Sequence, residues 1–257
     1  GVPDRHLDRR CDRGAGRVNE GMMVVAWWIA VQAMGLAALP LALRLFGNIP
    51  ESAYAFARPA GLLLVGYLFW LSATFGLVDN SWSSIVGVLL ATAAIVWIGC
   101  WPQVAGLAEY VRTHRASVVA IEVIFTAAYL VWVFIRAHNP DISATEKPME
   151  LAFINGILRS PVFPPQDPWL SGYAISYYYF GYVMTAMLAR LSGITGSMAH
   201  NLMTSLIFAL GAVGSYGILY NLLAANKTQY AGLDTAGERR LLDHQRNTQH
   251  ASPLRVT

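Results

Sequence analysis

RAHNPDISATEKPMELAFINGILRSPVFPPQDPWLSGYAISYYYFGY, residues 136–182, decides how the rest of the chain is read. It is the one long polar interruption in an otherwise apolar sequence. Eight acids lie between Met22 and Ala225, and half of them, Asp141, Glu146, Glu150 and Asp167, fall in this segment. A connection of this length between apolar runs is functional or disordered. Pro140, Pro148, Pro161, Pro164, Pro165 and Pro168 restrict the backbone and argue against disorder. The expectation is a segment that folds back on a membrane surface and carries the chemistry.

The flanking sequence supplies the membrane. Hydrophobic residues make up 55% of the chain and charged residues 13%, against about 25% charged in soluble domains. Residues 1–21 hold nine charges and residues 226–257 hold eight. Between the tails, eight basic residues balance eight acidic ones, so the net +3 resides in the tails and implies no nucleic-acid partner. Cys11 and Cys100 offer neither a metal spacing nor a disulfide framework, and no two histidines stand at ligand spacing. Three parts follow: a polar leader over 1–21 preceding a native start at Met22 or Met23, a membrane domain over 22–225 with the loop 136–170, and a polar tail over 226–257. The whole reads as a fragment of a longer protein.

Six apolar stretches, about 23–46, 60–78, 84–101, 117–135, 171–190 and 198–224, reach or approach the roughly 20 residues that cross a bilayer. Helices satisfy their own backbone in lipid, so the expected class is all-α. It is a polytopic membrane protein with about six transmembrane helices and an external surface-lying amphipathic helix. Trp27, Trp28, Trp70, Trp82, Trp97, Trp101 and Trp132 read chiefly as interfacial anchors. Arg44, Arg58, Arg112, Arg115 and Arg190, set on the cytoplasmic side, put the 136–170 loop outside the plasma membrane. Glu122 is the only acid well inside a span, either a functional group or half of an ion pair near Arg115.

Within the loop, Thr145 can cap a helix reaching Arg159, with Pro148 in its first turn. Helical winding gathers Leu151, Phe153, Ile154, Ile157 and Leu158 on one face and sets Asn155, Gly156 and Arg159 opposite. Glu150 points with the apolar face, where an unpaired carboxylate is costly. The bridge FPPQDPWLSG carries Asp167 into a tyrosine-rich helix end.

Asp141, Glu146, Glu150 and Asp167 are thus tethered at one membrane surface, and two such carboxylates can do acid–base work, with one activating a hydroxyl. Two such acids can hold a divalent cation, Mg or Mn, opposite a diphosphate. Tyr173, Tyr177, Tyr178 and Tyr179, with Lys147, are candidates for binding phosphate or sugar oxygens. Solvated loop charges paired with Arg136, Lys147 and Arg159, and a tyrosine belt among lipid headgroups, are the plainer alternatives.

NPD, EKPMELAFINGILRS and FPPQDPWLSGYAISYYYFGY resemble the YYY family of strongly hydrophobic integral membrane proteins, over most of residues 22–225. That family has EKPMD where Glu150 stands here. The layout is also similar to GT-C glycosyltransferases, whose first large external loop carries an essential acid and continues as a surface helix. The resemblance implies a lipid-linked sugar donor of the polyprenyl-phosphate type as partner, membrane lipids as surroundings, Asp141 as base, and Glu146 with Asp167 as metal or acceptor ligands. A transporter, a lipid-binding protein or a structural subunit without catalysis is the alternative. Farther on, Gly211, Gly214 and Gly217 suggest close helix packing, and Asn226-Lys227-Thr228 is formally a glycosylation acceptor.

Overall fold

The computed structural model describes the backbone of residues 12–47 and 50–250, and the side chains of residues 20–47 and 53–224. Residues 1–11 of the expected leader, and the side chain of Asn226, lie outside what it describes. The described residues form helices and no strands: α1 (Asp12–Leu45), α2 (Pro50–Thr74), α3 (Trp82–Gly99), α4 (Trp101–Ala105), α5 (Leu107–Thr113), α6 (Arg115–His138), α7 (Lys147–Arg159), α8 (Phe180–Ser192) and α9 (Gly196–His250). The protein is an all-α polytopic membrane protein.

Among the described residues five segments are long and apolar enough to cross a bilayer: Glu20–Leu45, Ala53–Thr74, Trp82–Gly99, Arg115–His138 and Gly196–Ala224. Large apolar side chains such as Leu90, Ile95, Ile98, Val119, Val123 and Phe134 point outward from α3 and α6. In water they would form a costly patch; in a bilayer they meet lipid.

The expected span at 171–190 is not formed. Its helical part is α8, 13 residues or about 20 Å long, against a hydrocarbon core of about 30 Å. Residues 165–175 turn back on themselves instead. Asp167 N–H donates to Tyr173 O at 2.9 Å and Ile175 N–H to Pro165 O at 3.0 Å. Gly172, at φ +85°, makes that reversal possible. Hydropathy reads WLSGYAISYYYF as continuous with the following helix, but the turn chemistry overrides it.

Both ends of α8 lie at the same end of the bundle. Its first turn is tied to the end of α2, where Trp70 Nε1 donates to Tyr179 Oη at 3.0 Å. Its last turn is tied to the α2–α3 connection, where Arg190 Nε donates to Asn80 Oδ1 at 3.2 Å. The chain then enters α9 beside the end of α6, where Arg136 Nε donates to Asn201 Oδ1 at 3.0 Å. α7 and α8 together therefore cap one face, and the tail continues as helix to His250 on the other side of the bundle.

This topology alters the charge count that set the orientation. Arg190 lies at the capped face, and Arg58 is buried in α2 against Glu122. Neither is a loop charge at the opposite face.

The core gathers α1, α2, α6, α7, α8 and α9 around Trp27, Phe69, Phe125, Tyr129, Met187 and Leu206. Trp27 is fully buried, so it belongs to the core and not to an interfacial belt. The closest helix crossing is made by Gly61, which sits on the Met34 carbonyl where a side chain would collide. Gly211 faces open space, and Gly214 makes only ordinary contact with Phe56. The close approach expected along α9 thus belongs to α1 and α2.

Candidate functional site

The cap begins where α6 ends. Arg136 Nη2 donates to Asp141 O at 3.1 Å, which turns the exiting chain back over the bundle. Thr145 does not cap α7: it adopts φ +57° and its hydroxyl donates to Ala144 O. Glu146 occupies the capping position without a side-chain bond. Phe153, Ile154 and Ile157 are buried as the helical winding requires, and Gly156 is buried with them. A Cβ at Gly156 would lie 3.3 Å from Gln166 O, so the proline bridge packs on the face expected to be polar. Glu150, the carboxylate on the apolar face, finds a partner in α9, 2.8 Å from His200 Nε2.

Two hollows open at this face. The larger, about 680 Å3, lies between the starts of α1 and α9 and the end of α6. Glu20, Arg136, Asn201, Thr195 and Ser197 line its polar side, and Met23 and Leu202 belong to its apolar wall. Pro140 and Ile142 line it as well, which sets Asp141 at its rim. The smaller, about 340 Å3, is lined by Arg159, Ser160, Gln166 and Asp167.

The expected acids are divided among these places. Asp141 accepts from Ser143 N–H at 3.1 Å and Ser143 Oγ at 2.6 Å. The Ser143 hydroxyl holds its carboxyl below the usual range, so it is ionised at neutral pH. Asp167 accepts from the N–H groups of Trp169 and Leu170 at 2.8 and 3.0 Å and lines the smaller hollow. Glu146 shares its surroundings with Glu150, Tyr177 and Tyr182. Burial raises the Tyr182 phenol, and the charge of Glu150, then Tyr177, then Glu146, raises it further. Among the described residues no group of three or more His, Cys, Asp or Glu stands ready for a metal ion.

Tyr173, Tyr177, Tyr178 and Tyr179 precede α8 and are not on it. Tyr177 stacks on Phe153 with ring centroids 5.5 Å apart, and Tyr178 packs edge-on against Tyr177. Tyr178 is 87% exposed and Tyr173 64%. Tyr179 is the one turned inward, onto Trp70. Lys147 is half-buried at the start of α7, and its charge reaches Asp141.

Three polar groupings escaped the reading of the sequence. Asn80 is buried and donates to Ile157 O at 2.7 Å and Ser160 O at 2.8 Å, pinning the end of α7. Arg190 reaches Leu158 O at 2.6 Å beside it. Inside the bundle, Glu122 pairs with Arg58 of α2 and not with Arg115. Tyr54 and Gln32 complete that cluster. A lone arginine and a lone acid in separate apolar spans were the available signal, since each demands a counter-ion in lipid.

Comparison with known proteins places this architecture among membrane proteins. The chain is 28% identical to sensory rhodopsin-2 of Natronomonas pharaonis over 173 residues, 67% of this chain and 68% of the relative. No solved structure matches it. The family model described as "Uncharacterized membrane protein (DUF2298)" matches residues 64–247, from the middle of α2 through the capped face and on into the polar part of α9. That stretch includes the tyrosine triplet, the proline bridge and both hollows' principal polar side chains, and the chain belongs to this family of integral membrane proteins.

Proposed function

We propose that this chain is the membrane portion of a GT-C-like glycosyltransferase that takes sugar from a polyprenyl-phosphate donor, with the capped face on the external side of the plasma membrane. The observation that carries the reading is the larger hollow, which joins a polar side at Glu20, Arg136, Thr195 and Ser197, one acid against one arginine, to an apolar wall. A phosphate suits the first and an isoprenoid tail the second. Asp141 at the rim orients the acceptor hydroxyl. Its lowered pKa makes it a weak proton acceptor, because an efficient general base titrates near the working pH. Exposed Tyr173, Tyr177 and Tyr178 offer hydroxyls and ring faces to the sugar.

Asp167 lines the smaller hollow and accepts two main-chain N–H groups through Oδ1, while Glu146 lies toward Glu150, Tyr177 and Tyr182, and among the described residues no third His, Cys, Asp or Glu joins either into a metal cluster. No step of the proposal runs through a metal.

Assay of the protein in proteoliposomes against a panel of polyprenyl-phosphate sugars tests the reading. Arg136→Gln is expected to raise the KM for the donor roughly tenfold, the loss of one charge-assisted phosphate contact. Asp141→Asn is expected to abolish transfer with insertion intact. Full activity in Asp141→Asn removes that residue's role, and absence of transfer from every donor removes the enzyme. A transporter is the second reading, favoured by the charge pair inside the bundle; solute uptake lost with Glu122→Gln would select it.

A further inference from the structure

We propose that the hollow between α1, α2 and α6 binds a neutral, lipid-soluble molecule bearing a carbonyl-type oxygen. The hollow measures about 260 Å3, and Trp28, Gln32, Leu36, Tyr54, Arg58 and Glu122 line it. Gln32 stands near the middle of the Glu20–Leu45 span, and Tyr54 and Arg58 lie in the first two turns of Ala53–Thr74, so the hollow sits within the spans toward the end opposite the cap.

Hydrogen-bond accounting gives the ligand's polarity. Glu122 accepts from Tyr54 and Arg58 through Oε1 and from Gln32 Nε2 through Oε2 at 2.9 Å. Gln32 Oε1 is in turn taken by Arg58 Nε. Each acceptor atom of Glu122 and Gln32 therefore already has at least one donor. Two donors on lining residues are not: Arg58 Nη1 and Trp28 Nε1 are buried without a partner. Arg58 is 3% exposed, its guanidinium carbon 4.3 Å from the centre of the Phe125 ring. An unpaired donor in a low-dielectric interior is costly, and an acceptor brought into the hollow relieves it.

Charge and shape narrow the class. Arg58 and Glu122 cancel, so an anion would carry a net charge into the lipid layer, whereas a carbonyl would not. Leu36 is 55% exposed and opens the hollow sideways to the bilayer. Leu39, Ala57 and Gly35 supply apolar wall for the first methylenes of a chain. The site lies within the spans, apart from the capped face, and does not depend on the proposed transfer reaction.

Photolabelling of the membrane-reconstituted protein tests this. The probe is a twelve-carbon methyl ketone with a diazirine on its chain, compared with the matching diazirine alkane and diazirine fatty acid. Adducts are mapped by peptide mass spectrometry. The ketone is expected to label the α1 and α2 segments lining the hollow about fivefold more than the alkane, the worth of one hydrogen bond. Trp28→Phe, which removes a donor that has no partner in the fold, is expected to erase most of that excess. Leu36→Trp, at the lipid-facing mouth, is expected to abolish labelling. Equal labelling by ketone and alkane overturns the proposal, as does stronger labelling by the fatty acid or indifference to Leu36→Trp.

Discussion

At the capped face Arg136 and Arg190 donate to the amide oxygens of Asn201 and Asn80 and to main-chain carbonyls, whereas inside the bundle Arg58 meets the carboxylate of Glu122. The depth explains the difference. Near the interface water screens a guanidinium, and neutral acceptors suffice to hold it while it fixes the path of the chain. Among the spans the charge is cancelled by an opposite one, and Gln32 and Tyr54 add donors to the same carboxylate. The first arrangement leaves room for a ligand above an open hollow. The second locks three helices together.

The contrast is broken most severely by uncoupling the buried pair. Arg58→Leu or Glu122→Leu alone leaves one charge stranded and is expected to cost about 3 kcal/mol, read by reversible unfolding in mixed micelles. The double replacement is expected to recover most of that loss. If the single and double variants cost the same, the pair is not the unit described here.

A smaller effect is expected at the cap. Asn80→Ala removes two donations to α7 and one acceptor for Arg190, and about 2 kcal/mol is expected. The local sign is faster proteolysis near Ser160 with the spans unaffected. His200→Phe keeps the packing between α7 and α9 but strands Glu150 on the half-buried face. About 1 kcal/mol is expected, and amide exchange in α7 should rise while that in α6 stays unchanged.

The smallest effect is acidic. Serine hydroxyls lower the folded-state pKa of Asp79, through Ser84 first and then Ser81, and of Asp141 through Ser143. A depressed carboxyl contributes stability above its unfolded value near 4 and loses it as the pH falls through the lower folded value. Unfolding at pH 5 and pH 3 should therefore differ slightly in the native chain and less in Asp79→Asn. Both groups are exposed, so added salt should reduce the difference.

Much of the fold was legible because lipid makes hydropathy decisive. Long apolar runs gave the five crossings, and the winding of residues 147–159 gave α7 and most of its buried face. The Tyr177–Tyr179 run misled for a local reason. Apolar content continued into it from α8, while Gly172 and the three prolines before it had already fixed a hairpin. The candidate site was less legible, since sequence separation hides partners. Nothing local to Glu150 points to His200, 50 residues away, or to Asn201 as the amide that receives Arg136. Glu150 on an apolar face did signal that some partner was needed. Asn80, a short polar residue between two apolar runs, gave no signal beyond a turn.

Everything said of the capped face requires that α8 enter and leave on one side of the membrane. Single cysteines at Ser143 and Thr195, both exposed, placed in a chain lacking Cys11 and Cys100, test it with an impermeant maleimide on intact and opened vesicles. The account predicts that both positions label from the same side. Labelling of Thr195 from the side opposite Ser143, as a sixth crossing would require, would contradict it.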